Sequence, residues 1–245
     1  MARTNIKGQL SGSVGPVSYR VVNGMGVVQS KPGRGNTKMA KTTLASASEF
    51  GRASTMSKNI RRWLLPLLQN RTDVYMYSRF TAKVYQALIN SSVASKEDRT
   101  LLDGDLSILN GFQFNNNVVF NHYYSLNPEL SLEDTGALSI TLPEFSSSDT
   151  INSIAEATSC DICYMVTALD SKVNTANYTD VFKVRVPLNG STVAAQQWTT
   201  PALKAGQLVI VAAAVFYFRK DKFMGDVCLN SKQLHPCELA AAFRT

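Results

Sequence analysis

The chain has 245 residues, of which 44% are hydrophobic and 18% charged; this composition is typical of a folded globular protein and argues against a disordered chain. Its longest apolar run, Leu208–Phe218, is about half the length of a membrane-spanning helix, so we predict no membrane span. The net charge of +7 is unevenly divided. Residues 1–100 hold 16 Lys and Arg against 4 Asp and Glu, whereas residues 101–245 hold 9 against 14.

This charge asymmetry has two functional interpretations. The basic half binds a polyanion, or the basic part of one copy meets the acidic part of another. The first residues lack the apolar segment of a secretory signal, so we expect synthesis in the cytoplasm. Assembly in a virion or outside the cell would then require a signal-independent exit.

The first predicted element is a β-hairpin. Two β-rich runs, Val17–Val22 and Met25–Ser30, flank Asn23-Gly24, the pair of residues that most favours a two-residue turn. Val17, Tyr19 and Val21 should share one face of the first strand. Because an isolated hairpin is only marginally stable in water, it must pack on the helices that follow or on a neighbouring molecule.

A basic segment follows the hairpin. Residues 31–42 contain four basic residues, no acidic residue and two glycines, a composition that predicts a loop. The spacing of a phosphate-binding P-loop is absent. Anion binding by the backbone of this loop stays open on the sequence alone.

Two amphipathic helices are predicted next. Ser46–Glu49 has the pattern of a capping box, and the first helix should end near Leu65 because Pro66 follows. Its predicted apolar face consists of Phe50, Ala53, Ser57, Ile60, Leu64 and Leu67, widened by Met56 and Trp63. The second helix should span Thr72–Asn90, with Val74, Tyr77, Thr81, Val84 and Leu88 on its apolar face. We therefore expect an antiparallel helix pair within a basic domain, residues 1–95, and a connector, residues 96–117, in which 103–109 form one more turn.

From residue 118 the hydrophobic period changes to that of strands. The predicted strands are Val118–Tyr124, Leu138–Leu142, Cys160–Leu169, Val181–Val186, Val193–Trp198, Leu208–Arg219, Phe223–Leu229 and Glu238–Phe243, with a loop or small helix at 145–159. This number of short strands is typical of an immunoglobulin-like (Ig-like) or fibronectin-like antiparallel β-sandwich. The predicted fold class is therefore α+β, with residues 118–245 as the sandwich domain.

A spaced glycine pattern adds a family resemblance. Gly8, Gly12, Val14, Gly15 and Val17 are followed by a basic Ser-x-Pro stretch (30–32), an aromatic near the helix start (Phe50), and an Asn-Ser pair (230–231) near the last strands. In these features the chain resembles an uncharacterised bacterial family known only as a domain of unknown function, over roughly residues 7–90 and more loosely in the last third. Tyr19-Arg20 stands where that family often has Trp. The resemblance implies the architecture and no activity.

No catalytic or cofactor motif is present. Cys160 and Cys163 have C-x₂-C spacing, but on a strand they would point to opposite faces, which favours buried thiols over a zinc site. Cys228, Cys237, His122 and His235 have no partner at a motif spacing. We therefore expect no enzyme activity, metal, cofactor or small-molecule substrate.

The preferred functional interpretation is a structural protein that polymerises with copies of itself, as a filament, tube or virion component. The predicted interface consists of Val17, Tyr19, Val21 and Val27 of the hairpin, and acidic Glu129, Glu133 and Asp134 on the next copy. Strand addition and head-to-tail contact would both suit this arrangement. The alternative is a nucleic-acid- or polyanion-binding protein that uses Arg34, Lys38, Lys41, Arg52, Lys58, Arg61 and Arg62.

Overall fold

A computed structural model describes residues 2–6, 8–31, 39–170 and 175–245. The chain forms two compact units, Met1–Leu44 and Ala45–Thr245. Helices take up 24% of the residues and strands 41%, and every described strand pair is antiparallel, which confirms a mixed fold with antiparallel sheets.

The first unit is a four-stranded antiparallel sheet. Its strands are β1 (Ala2–Thr4), β2 (Leu10–Val14), β3 (Val17–Val22) and β4 (Met25–Ser30), paired in that order. The predicted hairpin is confirmed, since Val22 pairs with Met25 across a turn in which Asn23 and Gly24 have φ of 50° and 81°. Neither β1 nor β2 was predicted, because Gly12 and the polar residues around it weaken the strand pattern.

Three helices follow: α1 (Lys41–Trp63), α2 (Leu65–Leu68) and α3 (Met76–Ile89). The helix break near Pro66 is confirmed, because α1 ends at Trp63 and Pro66 lies in the first turn of α2. The predicted start of α3 at Thr72 is wrong. The Asp73 carboxylate accepts the Tyr75 N–H at 2.8 Å and the Asn116 N–H at 3.0 Å, and so holds this segment in a turn. Within the described residues, no helix is both long and apolar enough to cross a membrane.

The predicted capping box at Ser46–Glu49 is also wrong, because α1 begins at Lys41 and Glu49 has another partner. The Glu49 side chain is 1% exposed and accepts a hydrogen bond from Arg99 Nη1 at 3.1 Å. Arg99 also donates from Nε to the carbonyl oxygen of Val93 at 2.6 Å. Glu49 therefore anchors the segment after α3 to α1 and does not cap the helix.

The buried helix faces differ in part from the predicted ones. On α1, Phe50 is 49% exposed and touches Tyr85 edge-on, whereas Ala53, Met56, Ser57 and Ile60 are buried as predicted. On α3 the predicted face was wrong at its start, because Val74 and Tyr77 are exposed. The buried set of α3 is Met76, Phe80, Val84, Ala87 and Leu88.

Residues 96–117 form part of the packed core. They include the 3₁₀ turns Leu101–Asp103 and Leu106–Leu109 and the short strand β5 (Phe112–Gln113). The rings of Phe112 and Phe114 both contact Phe80 of α3, with centroid distances of 4.9 and 5.6 Å. This segment therefore joins α3 to the sheet.

The remaining elements build antiparallel sheets. They are β6 (Glu129–Leu132), β7 (Leu138–Leu142), β8 (Phe145–Ser146), the single-turn α4 (Ser147–Thr150), β9 (Ser159–Asp170), β10 (Thr175–Pro187), β11 (Thr192–Val193), β12 (Gln196–Thr199), β13 (Leu208–Asp221), β14 (Gly225–Cys228) and β15 (Cys237–Arg244). The largest sheet has the order β10-β9-β13-β15-β5, with β14 also paired to β13. The smaller sheets are β12-β7-β6 and β11-β8.

Most predicted strands are confirmed, with three corrections. Val118–Tyr124 is not a strand but contains the 3₁₀ turn Phe120–His122. The predicted strand Val193–Trp198 is divided between β11 and β12, which pair with different partners. Phe223 lies in the turn before β14 and not in a strand. The strand β6 was not predicted.

The strand β13 separates the two hydrophobic cores of the second unit. One face of β13 packs with the helices through Leu208, Ile210, Ala212, Ala214 and Phe216. Its other face packs with β7 through Val209, Val211, Ala213, Val215 and Tyr217. Burial on both faces explains why β13 reads as a continuous apolar run. The helices α1 and α3 therefore share a core with the sheet, in contrast to the domain boundary that we placed near residue 95.

Candidate assembly surfaces

The sheet of the first unit has one apolar face. The pairing register puts Leu10 and Val14 of β2, Val17, Tyr19 and Val21 of β3, and Val28 of β4 on this side, which we call the apolar face. None of residues 2–6 and 8–31 is buried. Leu10, Val14 and Val28 are 43%, 56% and 63% exposed. A sheet of this size gains stability when its hydrophobic face is covered, so the apolar face is the candidate assembly surface of this unit.

The opposite face of this sheet is mainly polar. It carries Ser11, Ser13, Ser18, Arg20 and Gln29, with Val22, Met25 and Val27 towards the turn. Val27 pairs directly with Arg20 and therefore lies on this polar side. The structure thus brings together three of the four hairpin residues of the predicted interface, Val17, Tyr19 and Val21, and separates Val27 from them.

The three predicted acidic residues lie at the two ends of one strand of the second unit. Glu129 is the first residue of β6, while Glu133 and Asp134 lie in the turn that joins β6 to β7, and all three are exposed. Two backbone hydrogen bonds close the turn: the Glu133 N–H donates to the Ala137 carbonyl oxygen at 2.8 Å, and the Gly136 N–H donates to the Glu133 carbonyl oxygen at 2.9 Å. Because β6 is an edge of its sheet, these carboxylates lie beside an edge strand.

The net charge of the protein resides in the first unit. Residues 1–44 contain seven basic residues and no acidic one, whereas residues 45–245 contain 18 of each sign. The first unit therefore carries the whole net charge of +7. Because this unit has basic residues and no acidic residue, an acidic partner surface would complement its charge.

The predicted polyanion-binding residues on α1 are only partly available. Arg61 stacks on the Tyr77 ring at 4.3 Å and donates to the Ser57 carbonyl oxygen. Arg52 donates to the Ser48 hydroxyl at 3.1 Å and to the Lys96 carbonyl oxygen. Both guanidinium groups are therefore engaged within the second unit. The remaining predicted residues are the exposed Lys41, Lys58 and Arg62, together with Arg34 and Lys38, which lie outside the described residues.

The cysteines and histidines do not converge on a site. Cys163 packs with the helices and Cys160 with β7, which confirms that they point to opposite faces of β9. Burial raises the pKa of both thiols to about 12, so they stay protonated at neutral pH. In the described ranges, no group of three or more His, Cys, Asp or Glu side chains is placed to hold a metal ion.

The second unit contains a polar cavity of about 460 Å³ that no sequence motif indicated. Its walls come from residues 121–125, 147–153 and 188–190. The serine content of 145–159 favoured only a loop or a small helix, and nothing local connects it with Asn121 and His122. Only the folding of the second unit reveals this cavity.

No protein-family model matches the chain, and no curated protein is significantly similar to it. The resemblance to the bacterial family therefore stays a prediction.

Proposed function

We propose that the protein is a structural subunit that polymerises with copies of itself through the sheet of its first unit. The observation that carries this proposal is the exposed apolar face, on which Leu10, Val14 and Val28 are each more than two-fifths exposed. Covering such a face gains about 25 cal/mol for each Å² of apolar surface removed from water. A second copy is the occupant that is present wherever the protein itself is present.

Charge supports a head-to-tail contact between copies. The first unit is wholly basic, and the exposed carboxylates of Glu129, Glu133 and Asp134 offer a complementary surface on the second unit. A contact between two different surfaces forms rings or open filaments, according to whether the rotation closes. The antiparallel sheets of the second unit would serve as the Ig-like building block of a filament, tube or virion.

A single pair of substitutions tests the role of the apolar face. Val28 and Gln29 are adjacent and exposed on β4, but their side chains point to opposite faces of the sheet. Val28→Lys places a charge in the proposed interface, whereas Gln29→Lys adds the same charge on the polar face. In nuclease-treated protein, size-exclusion chromatography with light scattering should show a large assembly for the wild type and for Gln29→Lys.

Val28→Lys should instead elute near the monomer mass of 26.8 kDa. A monomeric wild type, or a Val28→Lys variant that assembles as the wild type does, would contradict the proposal. Thermal unfolding of both variants would show that each remains folded.

Polyanion binding is the second candidate, and the absence of any acidic residue in residues 1–44 favours it. It would rest on phosphate contacts, which are sensitive to salt and independent of sequence. If nucleic acid drives the assembly, the large species of the wild type should collapse on nuclease treatment. Assembly that survives nuclease would contradict this candidate.

A further inference from the structure

The polar cavity of the second unit has the geometry of a preformed site. It lies between the 3₁₀ turn Phe120–His122, the segment around α4 and the turn at Leu188–Gly190, and its volume is about 460 Å³. Small-molecule sites usually have volumes of about 300–1,000 Å³ and are largely formed before the ligand binds.

Backbone hydrogen bonds fix the walls of the cavity to each other. The Ser125 N–H donates to the Thr150 carbonyl oxygen at 3.0 Å, and the Asn152 N–H donates to that of Tyr123 at 3.0 Å. On the other side, the Ser147 N–H donates to the Ser191 carbonyl oxygen at 3.1 Å. A ligand would therefore bind without first ordering these segments, which lowers the entropic cost of binding.

The lining combines hydrogen-bond donors and acceptors. Asp149 offers carboxylate oxygens, one of which accepts from Ser148 at 3.1 Å. The side chains of Asn121, His122 and Asn152 make no hydrogen bond within the described part of the chain. The Ser147 side chain also lines the cavity, and its buried hydroxyl has no partner among the described residues. The Ser147 hydroxyl is thus a buried group that the described residues leave unpaired, while Asn121, His122 and Asn152 are exposed to solvent and free to bind a ligand.

The balance of these groups defines the class of ligand. No Lys or Arg lines the cavity and a carboxylate does, so an anion is disfavoured. A hydroxyl group both donates and accepts, which matches a carboxylate beside amides and an imidazole. Ile151 and Leu188 add apolar surface that suits the C–H groups of a ring. We propose that this cavity binds a neutral polyhydroxyl ligand, a sugar or a short saccharide.

Titration of the full chain with neutral sugars tests this site. The probes are glucose, galactose, mannose, N-acetylglucosamine and their disaccharides, followed by saturation-transfer NMR and calorimetry. We expect at least one of these sugars to bind. Asp149→Ala and Asn152→Ala should each weaken that binding by about tenfold or more, because each substitution removes the hydrogen bonds that the side chain makes to the sugar. Glu144→Ala, an exposed acid outside the lining, is the matched control and should bind as the wild type does.

Each contrary outcome overturns the site assignment. These outcomes are that no sugar binds, that binding is unchanged in both wall variants, and that inorganic phosphate competes with the sugar for the cavity. All three variants change exposed residues, and their thermal unfolding checks that they fold. Sugar binding does not depend on self-assembly, so the Val28→Lys variant should retain it.

Discussion

At the scale of single residues, His235 shows how the fold fixes a protonation state. The ring is fully buried, with Nε2 at 3.0 Å from the carbonyl oxygen of Leu67 and Nδ1 at 3.1 Å from Nδ2 of Asn230. A carbonyl oxygen can only accept, so Nε2 carries the proton and Nδ1 accepts from the amide. Burial lowers the pKa of this imidazole to about 4.

This pKa predicts an acid-dependent loss of stability. The unfolded chain binds a proton near pH 6.5, whereas the folded chain resists it until about pH 4. The contribution of His235 is therefore fully present above pH 6.5 and is lost as the pH falls towards 4, by about 3 kcal/mol in total.

Two measurements check this prediction. In an NMR titration, the ring protons of His235 should not shift until about pH 4. Urea unfolding at a series of pH values should give a steeper loss of stability between pH 6.5 and 4 for the wild type than for His235→Gln. A His235 signal that titrates near pH 6.5 in the folded protein would refute the prediction.

At the scale of elements, two glycines should respond to alanine in opposite ways. A Cβ on Gly104 would overlap the carbonyl O and C atoms of Ala87, near the end of α3. Because these are backbone atoms, they cannot move aside without displacing the helix. We expect Gly104→Ala to lower the free energy of unfolding by about 3 kcal/mol. Gly51, on the exposed side of α1, has nothing within 4 Å of the added methyl group, so Gly51→Ala should raise it by about 1 kcal/mol.

Urea denaturation of both variants measures the two effects side by side. The substitution is chemically the same at each site, so the difference in sign isolates the close contact at Gly104. Equal changes at the two positions would show that the approach of the 3₁₀ turn Leu101–Asp103 to α3 is looser than described.

The elements that the sequence predicted well are those whose signals are local. Asn23-Gly24 fixed the hairpin and its register, and the apolar run of β13 predicted a buried strand. That register also places Val27 opposite Arg20, so the pairing outward from the turn already separates Val27 from Val17, Tyr19 and Val21. The apolar face of the first unit was therefore predictable in most of its members.

The elements that were missed depend on contacts between distant residues. The local sequence predicts that Glu49 caps a helix, but in the fold its carboxylate binds Arg99, which lies 50 residues later in the chain. The start of α3 depends on the Asn116 N–H, which donates to the Asp73 carboxylate although it lies 43 residues later in the chain. Likewise, the polar cavity brings together residues 121–125 and 188–190, a separation at which no spacing rule applies.

At the scale of the whole molecule, the charge distribution predicts how assembly should depend on salt. The first unit is wholly basic, so a contact with the carboxylates of Glu129, Glu133 and Asp134 has an electrostatic part. Surface charges are screened over about 10 Å at 0.1 M salt. The apolar face has no charge to screen, and sulfate strengthens apolar burial.

We therefore expect sodium chloride to reduce the assembled mass and ammonium sulfate, at equal ionic strength, to reduce it less. Arg20→Ser removes one charge from the polar face and leaves the apolar face intact, so it should lower the sodium chloride concentration at which half of the protein dissociates. Ser18→Asn, on the same strand and face, leaves the charge unchanged and should keep the wild-type midpoint. Light scattering across the two salts makes this measurement. Equal dissociation in both salts would show that charge alone holds the copies together, and the apolar face would then lose its proposed role.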